Sequence, residues 1–178
     1  MRFPFLPKRH GKLASVESEW GRLVQLLDLH GITLVIDVGA NEGQYGAGLR
    51  RAGYGGRIVS VEPGAEAHGA VVARAGSDPK WEVAPRFALG AEEGHAQLKT
   101  GNRSDMNSLL AAKKVTLEAF PKLSIEAKET VEVRRLDAVL DELIAPAPSE
   151  RSFLKIDTQG FEARVLAGTE GVIERIAG

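Results

Sequence analysis

The apolar residues of this chain change their spacing as it proceeds, and the changes mark out alternating strands and helices. Leu34-Val-Ile-Asp-Val38 and Ile58-Val-Ser-Val61 are short, β-branched and almost wholly apolar, as strands are when both faces of a parallel sheet are covered. Ahead of them, Trp20, Leu23, Val24 and Leu27 recur at steps of three and four. That stripe predicts a helix capped by Ser15 or Ser18 and stopped before His30-Gly31, either packed on the sheet edge or covering the mouth of a pocket. Gln44 to Arg51 and Gly64 to Ala75 read as further helices, and Trp81 to Leu89 as a third strand.

The second half of the chain is less regular. His95 to Thr100 and Thr130 to Arg134 alternate polar and apolar residues like half-buried strands, and they bracket a polar cluster, Asn102 to Ser108, followed by a predicted helix through Phe120. Residues 91 to 134 are therefore expected to be an insertion. Leu136 to Leu143 predicts a short helix, and Ala145-Pro-Ala-Pro-Ser149 a linker. Phe153 to Asp157 predicts a strand with Leu154 and Ile156 on one face and Phe153, Lys155 and Asp157 on the other. Gly160 ends it, and Glu162, Val165, Leu166 and Val172 continue as a helix. Strands and helices in this alternation specify an α/β fold, a doubly wound and mostly parallel Rossmann-like sheet.

The link between the first two strands carries the chemistry. Gly39 and Gly43 permit a sharp turn and close approach to a ligand, ahead of a helix whose free N–H groups face that ligand. Glu62 follows about 20 residues after the turn, the spacing that sets a carboxylate beside a ribose diol. A dinucleotide fingerprint needs glycine at the first, third and sixth turn positions, whereas counting from Gly39 the third is Asn41 and the sixth Gln44. Asp37, two residues ahead of the turn, would repel a pyrophosphate but attract an ammonium group. A cofactor with both an amino-acid moiety and a ribose, such as S-adenosylmethionine, suits this pattern better than a nicotinamide dinucleotide. In a doubly wound sheet the chain leaving the third strand passes the adenine ring, which nominates Phe87, Ala88 and Leu89 for its apolar wall.

The pattern Asp37-x-Gly39-x-Asn41-x-Gly43 resembles the first motif of Rossmann-like methyltransferases, with Asn for the middle glycine. Ile36-Asp-Val-Gly-Ala-Asn-Glu-Gly-Gln-Tyr45, Val61-Glu-Pro63, Ala88-Leu-Gly90, Asn107-Ser-Leu109, Arg135-Leu-Asp137 and Phe153-Leu-Lys-Ile-Asp-Thr-Gln-Gly-Phe-Glu162 together resemble the FkbM family of S-adenosylmethionine-dependent methyltransferases, over about residues 30 to 172. The resemblance implies that the strand ending at Asp157 lies beside the first strand. It also implies O-methylation of a small-molecule acceptor, a hydroxyl of a sugar or secondary metabolite.

On that basis Glu62 is expected at the ribose. Asp37, Gly39, Ala40, Asn41, Gly43 and Tyr45 are expected around the rest of the cofactor, with Ala88 and, from the resemblance, Ser108 nearby. Asp157, Lys155 and Glu162 are expected on the acceptor side, where Asp157 is a candidate general base. For Lys155 and Glu162 a structural ion pair at the strand-to-helix turn competes with that role.

Composition narrows the classes further. At 178 residues the chain suits one domain, 15–178, behind an N-terminal arm of residues 1–14 rich in proline and basic residues. A net charge of -1 leaves no electrostatic footprint for nucleic acid. The absence of cysteine excludes disulfides and thiolate metal sites, and the scattered His10, His30, His68 and His95 predict no metal. The proline-broken apolar run at Met1 to Pro7 is too short for a secretory core and far too short to span a bilayer, so a soluble, cytoplasmic protein is expected. Similar methyltransferases continue with about three further strands, so the last strand here is expected to present an open edge, suited to homodimer pairing. That shortness keeps a cofactor-binding module without turnover as the alternative to an enzyme, with a nicotinamide-binding oxidoreductase-like domain behind it.

Overall fold

A computed structural model describes residues 18–101, 125–145 and 150–178. Helix α1 (Glu19–Leu29) starts where the hydroxyl of Ser18 accepts the Gly21 amide at 2.9 Å, which settles the cap. Strand β1 (Leu34–Val38), helix α2 (Gln44–Arg51), strand β2 (Arg57–Val61) and helix α3 (Ala65–Ala75) follow as the spacing predicts. The third strand does not run unbroken. β3 (Trp81–Val83) stops after the Ala84 amide donates to Ser60, and Pro85, with no N–H to offer a neighbouring strand, separates it from β4 (Ala88–Leu89). β4 belongs to a different sheet.

Two long strands, β5 (Gly94–Gly101) and β6 (Ile125–Arg134), pair antiparallel, and β4 lies parallel to β6 on its other side. They form a second, three-stranded sheet in order β4-β6-β5. Ser108, Arg103, Asp105 and the helix predicted through Phe120 lie outside the described residues, as do the N-terminal arm and most of the linker after Ala145.

Helix α4 (Leu136–Ile144) leads to β7 (Ser152–Ile156), which pairs parallel with β1. The main sheet thus has the order β3-β2-β1-β7, with every pairing parallel. The chain steps outward from β1 to β3 and then returns to the other side of β1, which puts the reversal of strand order between β1 and β7. β1 is buried along its whole length because both faces are covered. Leu34, Ile36 and Val38 face α4 and the last helix, while Val35 faces a cluster with Val24, Leu27, Leu49 and Val71 from α1, α2 and α3.

Helix α5 (Glu162–Ala167) is shorter than its apolar spacing predicts. It stops at Gly168, whose carbonyl is taken by the Asp137 amide of α4's first turn. A side chain at Gly168 would be driven into the carbonyl of Gly90. Val172 reaches the core from the turn beyond. The edge of β7 is not left bare: Ile176 bridges Ser152 in parallel, Ala177 donates to Ser152 at 2.8 Å and Gly178 accepts from Leu154 at 2.8 Å. The first part of that edge is covered by the chain itself.

Candidate functional site

A cavity of about 370 Å³ opens at the carboxyl ends of β1, β2 and β7, at the reversal of strand order. Its floor is the first part of the turn from Gly39 to Gly43, residues 39–41. Gly39 (φ 71°), Asn41 (φ 50°) and Gly43 (φ 81°) are all left-handed there, and the amides of Gly39 and Ala40 both donate to the carbonyl of Val61, at 3.0 and 3.1 Å. β1 therefore ends by folding across the end of β2. Gly39 is required twice, by its φ and by space, since a Cβ there would enter the backbone carbonyl of Asp157.

Glu62 lies where β2 ends and is almost wholly buried against the cavity. One carboxylate oxygen accepts the Asn41 amide and the other the Gly64 amide, each at 2.9 Å. Burial pushes its carboxyl up from the ordinary value, and those two amides pull it back. Each oxygen keeps a lone pair beyond its amide, so a fixed acceptor pair is available for a vicinal diol. Pro63, Ala88, Leu89 and Leu98 supply an apolar wall beside it.

On the β7 side the cavity is lined by Tyr45, Lys155, Asp157, Thr158 and Gln159. Asp157 is exposed, and Gln159 donates to one of its oxygens at 3.2 Å. Lys155 turns its ammonium inward, 2.8 Å from Asp37, 3.1 Å from the Gly39 carbonyl and 3.4 Å from that of Val38. Asp37 has no exposed surface and does not line the cavity. Burial pushes its carboxyl up, while the Lys155 ammonium pulls it down. Burial and the Asp37 charge raise the Tyr45 hydroxyl to about 12, so it stays protonated at neutral pH.

The candidates therefore separate. Gly39, Ala40, Asn41, Tyr45, Glu62, Ala88, Lys155 and Asp157 come together around one cavity. Gly43 does not line it: a Cβ there would meet Val71 at 2.9 Å, so this glycine lets α2 pack on α3. Glu162 does not line it either. Its Oε1 accepts the amides of Thr158 and Gly160, each at 3.0 Å, and those bonds hold its carboxyl below the ordinary value. The ion pair between Lys155 and Glu162 is not formed, because Lys155 is engaged with Asp37 and Glu162 with its own turn.

Sequence reasoning left Thr158, Gln159 and Leu98 unassigned, and Trp20 open between packing and covering a pocket. Trp20 does both. It lines the cavity, stacks tilted on Tyr45 with ring centres 5.4 Å apart, and rests on α2 where Gly48 leaves room. Its helical spacing is that of an ordinary core residue, so nothing in its immediate sequence singles it out. Among the described residues, no group of three His, Asp or Glu side chains is placed to hold a metal, and no helix is long and apolar enough to cross a membrane.

The sequence profile of the methyltransferase FkbM domain matches residues 37–177. The chain belongs to the FkbM methyltransferase family. Its matched region begins at Asp37 in β1, passes through both sheets and ends in the segment lying along β7. Helix α1, with Trp20, precedes it, so one wall of this FkbM cavity comes from outside the matched region. No curated protein and no solved structure matches the chain.

Proposed function

We propose that this FkbM domain binds S-adenosylmethionine in the cavity over the glycine turn and transfers its methyl group to a hydroxyl of a small acceptor, of the sugar or secondary-metabolite class. The observation that carries the reading is Glu62, a buried carboxylate whose two oxygens are aimed by backbone amides at the cavity beside an apolar wall. The donor set suits the cofactor. Carboxylates from Glu62 and Asp157 line the cavity, and Lys155, the one lysine among its described lining residues, is turned into the protein, so the side chains favour a cationic ligand over a pyrophosphate.

When bound, the cofactor supplies an electrophilic methyl carbon on a sulfonium. The protein's contribution is orientation, which accounts for most of the acceleration available to an in-line displacement. Glu62 would accept the ribose hydroxyls, Ala88, Leu89 and Leu98 would enclose the adenine, and the turn from Gly39 to Asn41 would seat the amino-acid end. Asp157, exposed at the β7 side and steadied by Gln159, would take the proton from the acceptor hydroxyl.

Turnover of a hydroxyl acceptor, found by screening glycosides and phenols for S-adenosylhomocysteine release, tests this reading. Asp157→Asn is expected to lower kcat by about 100-fold or more, the range for a lost general base, with cofactor affinity within about threefold of wild type. Unchanged kcat would remove Asp157 from proton transfer. Release from amines but from no hydroxyl would overturn oxygen as the acceptor atom.

A further inference from the structure

Asp37 is the acidic residue of the glycine-turn motif, yet it cannot touch a ligand from where it lies. It has no exposed surface, and β2 and β7 flank its strand on either side. A carboxylate taken that far from water is strongly disfavoured unless a cation accompanies it. The register supplies one. Asp37 stands opposite Lys155 across the β1–β7 pair, on the same face of the sheet.

The Lys155 ammonium has three protons and three acceptors within reach, contributed by consecutive residues: the Asp37 carboxylate at 2.8 Å, the Val38 carbonyl at 3.4 Å and the Gly39 carbonyl at 3.1 Å. Asp37 meets it by proximity of charge, without a well-aligned hydrogen bond, and its other oxygen has no partner. The Tyr45 ring covers the same ammonium, with Nζ 5.3 Å from its centre. On the opposite side, the amides of Gly39 and Ala40 are fixed by Val61. The turn that floors the cavity is thus held by its amides from β2 and by its carbonyls from Lys155.

We propose that Lys155 is a positioning residue: the half-buried cation that keeps Asp37 ionised and locks the carbonyls of the glycine turn, so that the cavity keeps its shape across neutral pH. Among the described residues, the titratable and charged groups around this pair are Asp157 just beyond β7, Glu62 at the end of β2 and Tyr45 on α2. None of them is a cation, so no other described side chain there can replace Lys155. The binding readout rests on the cofactor reading above, and a ligand-free readout keeps the two separable.

Lys155→Met retains the stem and removes the charge. The folded-state value of Asp37 should then rise further above its unfolded one, so that folding takes up a proton and stability falls as pH rises from the ordinary carboxylate range toward neutrality and above. Titrations with S-adenosylhomocysteine and thermal melts between pH 5.5 and pH 8.5, bounds chosen to span that range, test it. The single variant is expected to bind about tenfold or more weakly at the upper end, recovering toward the lower end, with a melting temperature that falls with pH more steeply than wild type. The double variant Asp37→Asn/Lys155→Met, which removes both charges of the pair, is expected to lose the extra pH slope in both measurements and to remain weaker than wild type at every pH, since nothing then holds the Val38 and Gly39 carbonyls.

A Lys155→Met protein with wild-type affinity and melting slope would overturn the proposal. So would a double variant that keeps the single variant's pH slope. If wild type itself does not bind S-adenosylhomocysteine, the cofactor reading fails, and the two melting slopes still decide the role of Lys155.

Discussion

Arg57→Leu should be among the most damaging single substitutions in this protein, costing about 2 to 4 kcal/mol of stability, because it leaves the buried carbonyls of Leu143 and Ile144 unpaired. Arg57 begins β2 and is only 8% exposed. Its guanidinium grips Glu82 through both oxygens at 2.6 and 2.9 Å, donates to Glu150 at 3.0 Å, and donates to the carbonyls of Leu143, Ile144 and Ala145 at 3.0, 3.1 and 2.7 Å. Those carbonyls are the free acceptors at the end of α4, where a cation also meets the negative end of the helix dipole. One side chain thus ties β2, β3, α4 and the segment entering β7 together beneath the sheet, at the end opposite the cavity.

Arg57→Lys should recover less than half of the loss, since an ammonium cannot present the planar fork that reaches two carboxylates and three carbonyls. Arg57 holds the Glu82 carboxyl below its ordinary value of 4.5. That share of stability is present above about pH 4.5 and is lost as the pH falls through the folded-state value, so the gap between wild type and variant should narrow in acid. Urea melts of the three proteins at pH 7 and pH 4 provide the check. A loss below about 1 kcal/mol for Arg57→Leu would show that the network is surface decoration.

Gly39→Ala should abolish cofactor binding and destabilise the fold by about 2 to 4 kcal/mol, the combined scale of a left-handed alanine and of overpacking against backbone. The residue has φ 71°, and its Cβ would meet the Asp157 carbonyl, which has no rotamer to move aside. Relief requires β1 and β7 to part at the point where Asp157 donates its amide to Val38 at 3.0 Å. Gly53→Ala makes a useful contrast. Gly53 has φ 91°, but nothing lies within 4 Å of its Cβ position, so it carries the strain of conformation without the collision. Gly39→Ala should therefore lose affinity for S-adenosylhomocysteine while Gly53→Ala retains it. Equal affinities would mean that the turn is not the floor of the binding site.

The parts of this molecule that were legible in its sequence are those fixed by local chemistry. β1, the glycine turn, β2 and Glu62 could be read because a strand covered on both faces has a continuous apolar run, and a left-handed turn leaves glycines behind. The pairing of β7 with β1 came from family resemblance, and the parallel register bears it out. What stayed hidden was decided between distant segments. The break at Pro85 sends β4 into a second sheet because β6 is there to receive it, and α5 ends at Gly168 because α4 claims its carbonyl. The alternation along β7 leaves Lys155 open between the acceptor side and an ion pair with Glu162. Only the register opposite Asp37 shows that its charge is turned inward.

The central claim is that Glu62 and its apolar wall form a nucleoside pocket for a sulfonium cofactor. Isothermal titration with S-adenosylhomocysteine, with NAD as the parallel ligand and Glu62→Ala as the variant, tests it most directly. Wild type is expected to bind S-adenosylhomocysteine in the micromolar range and to give no heat with NAD. Glu62→Ala is expected to lose about 1 to 3 kcal/mol of affinity, the scale of polar partners left unpaired. Binding of NAD, or an affinity for S-adenosylhomocysteine that the loss of Glu62 does not change, would contradict the claim.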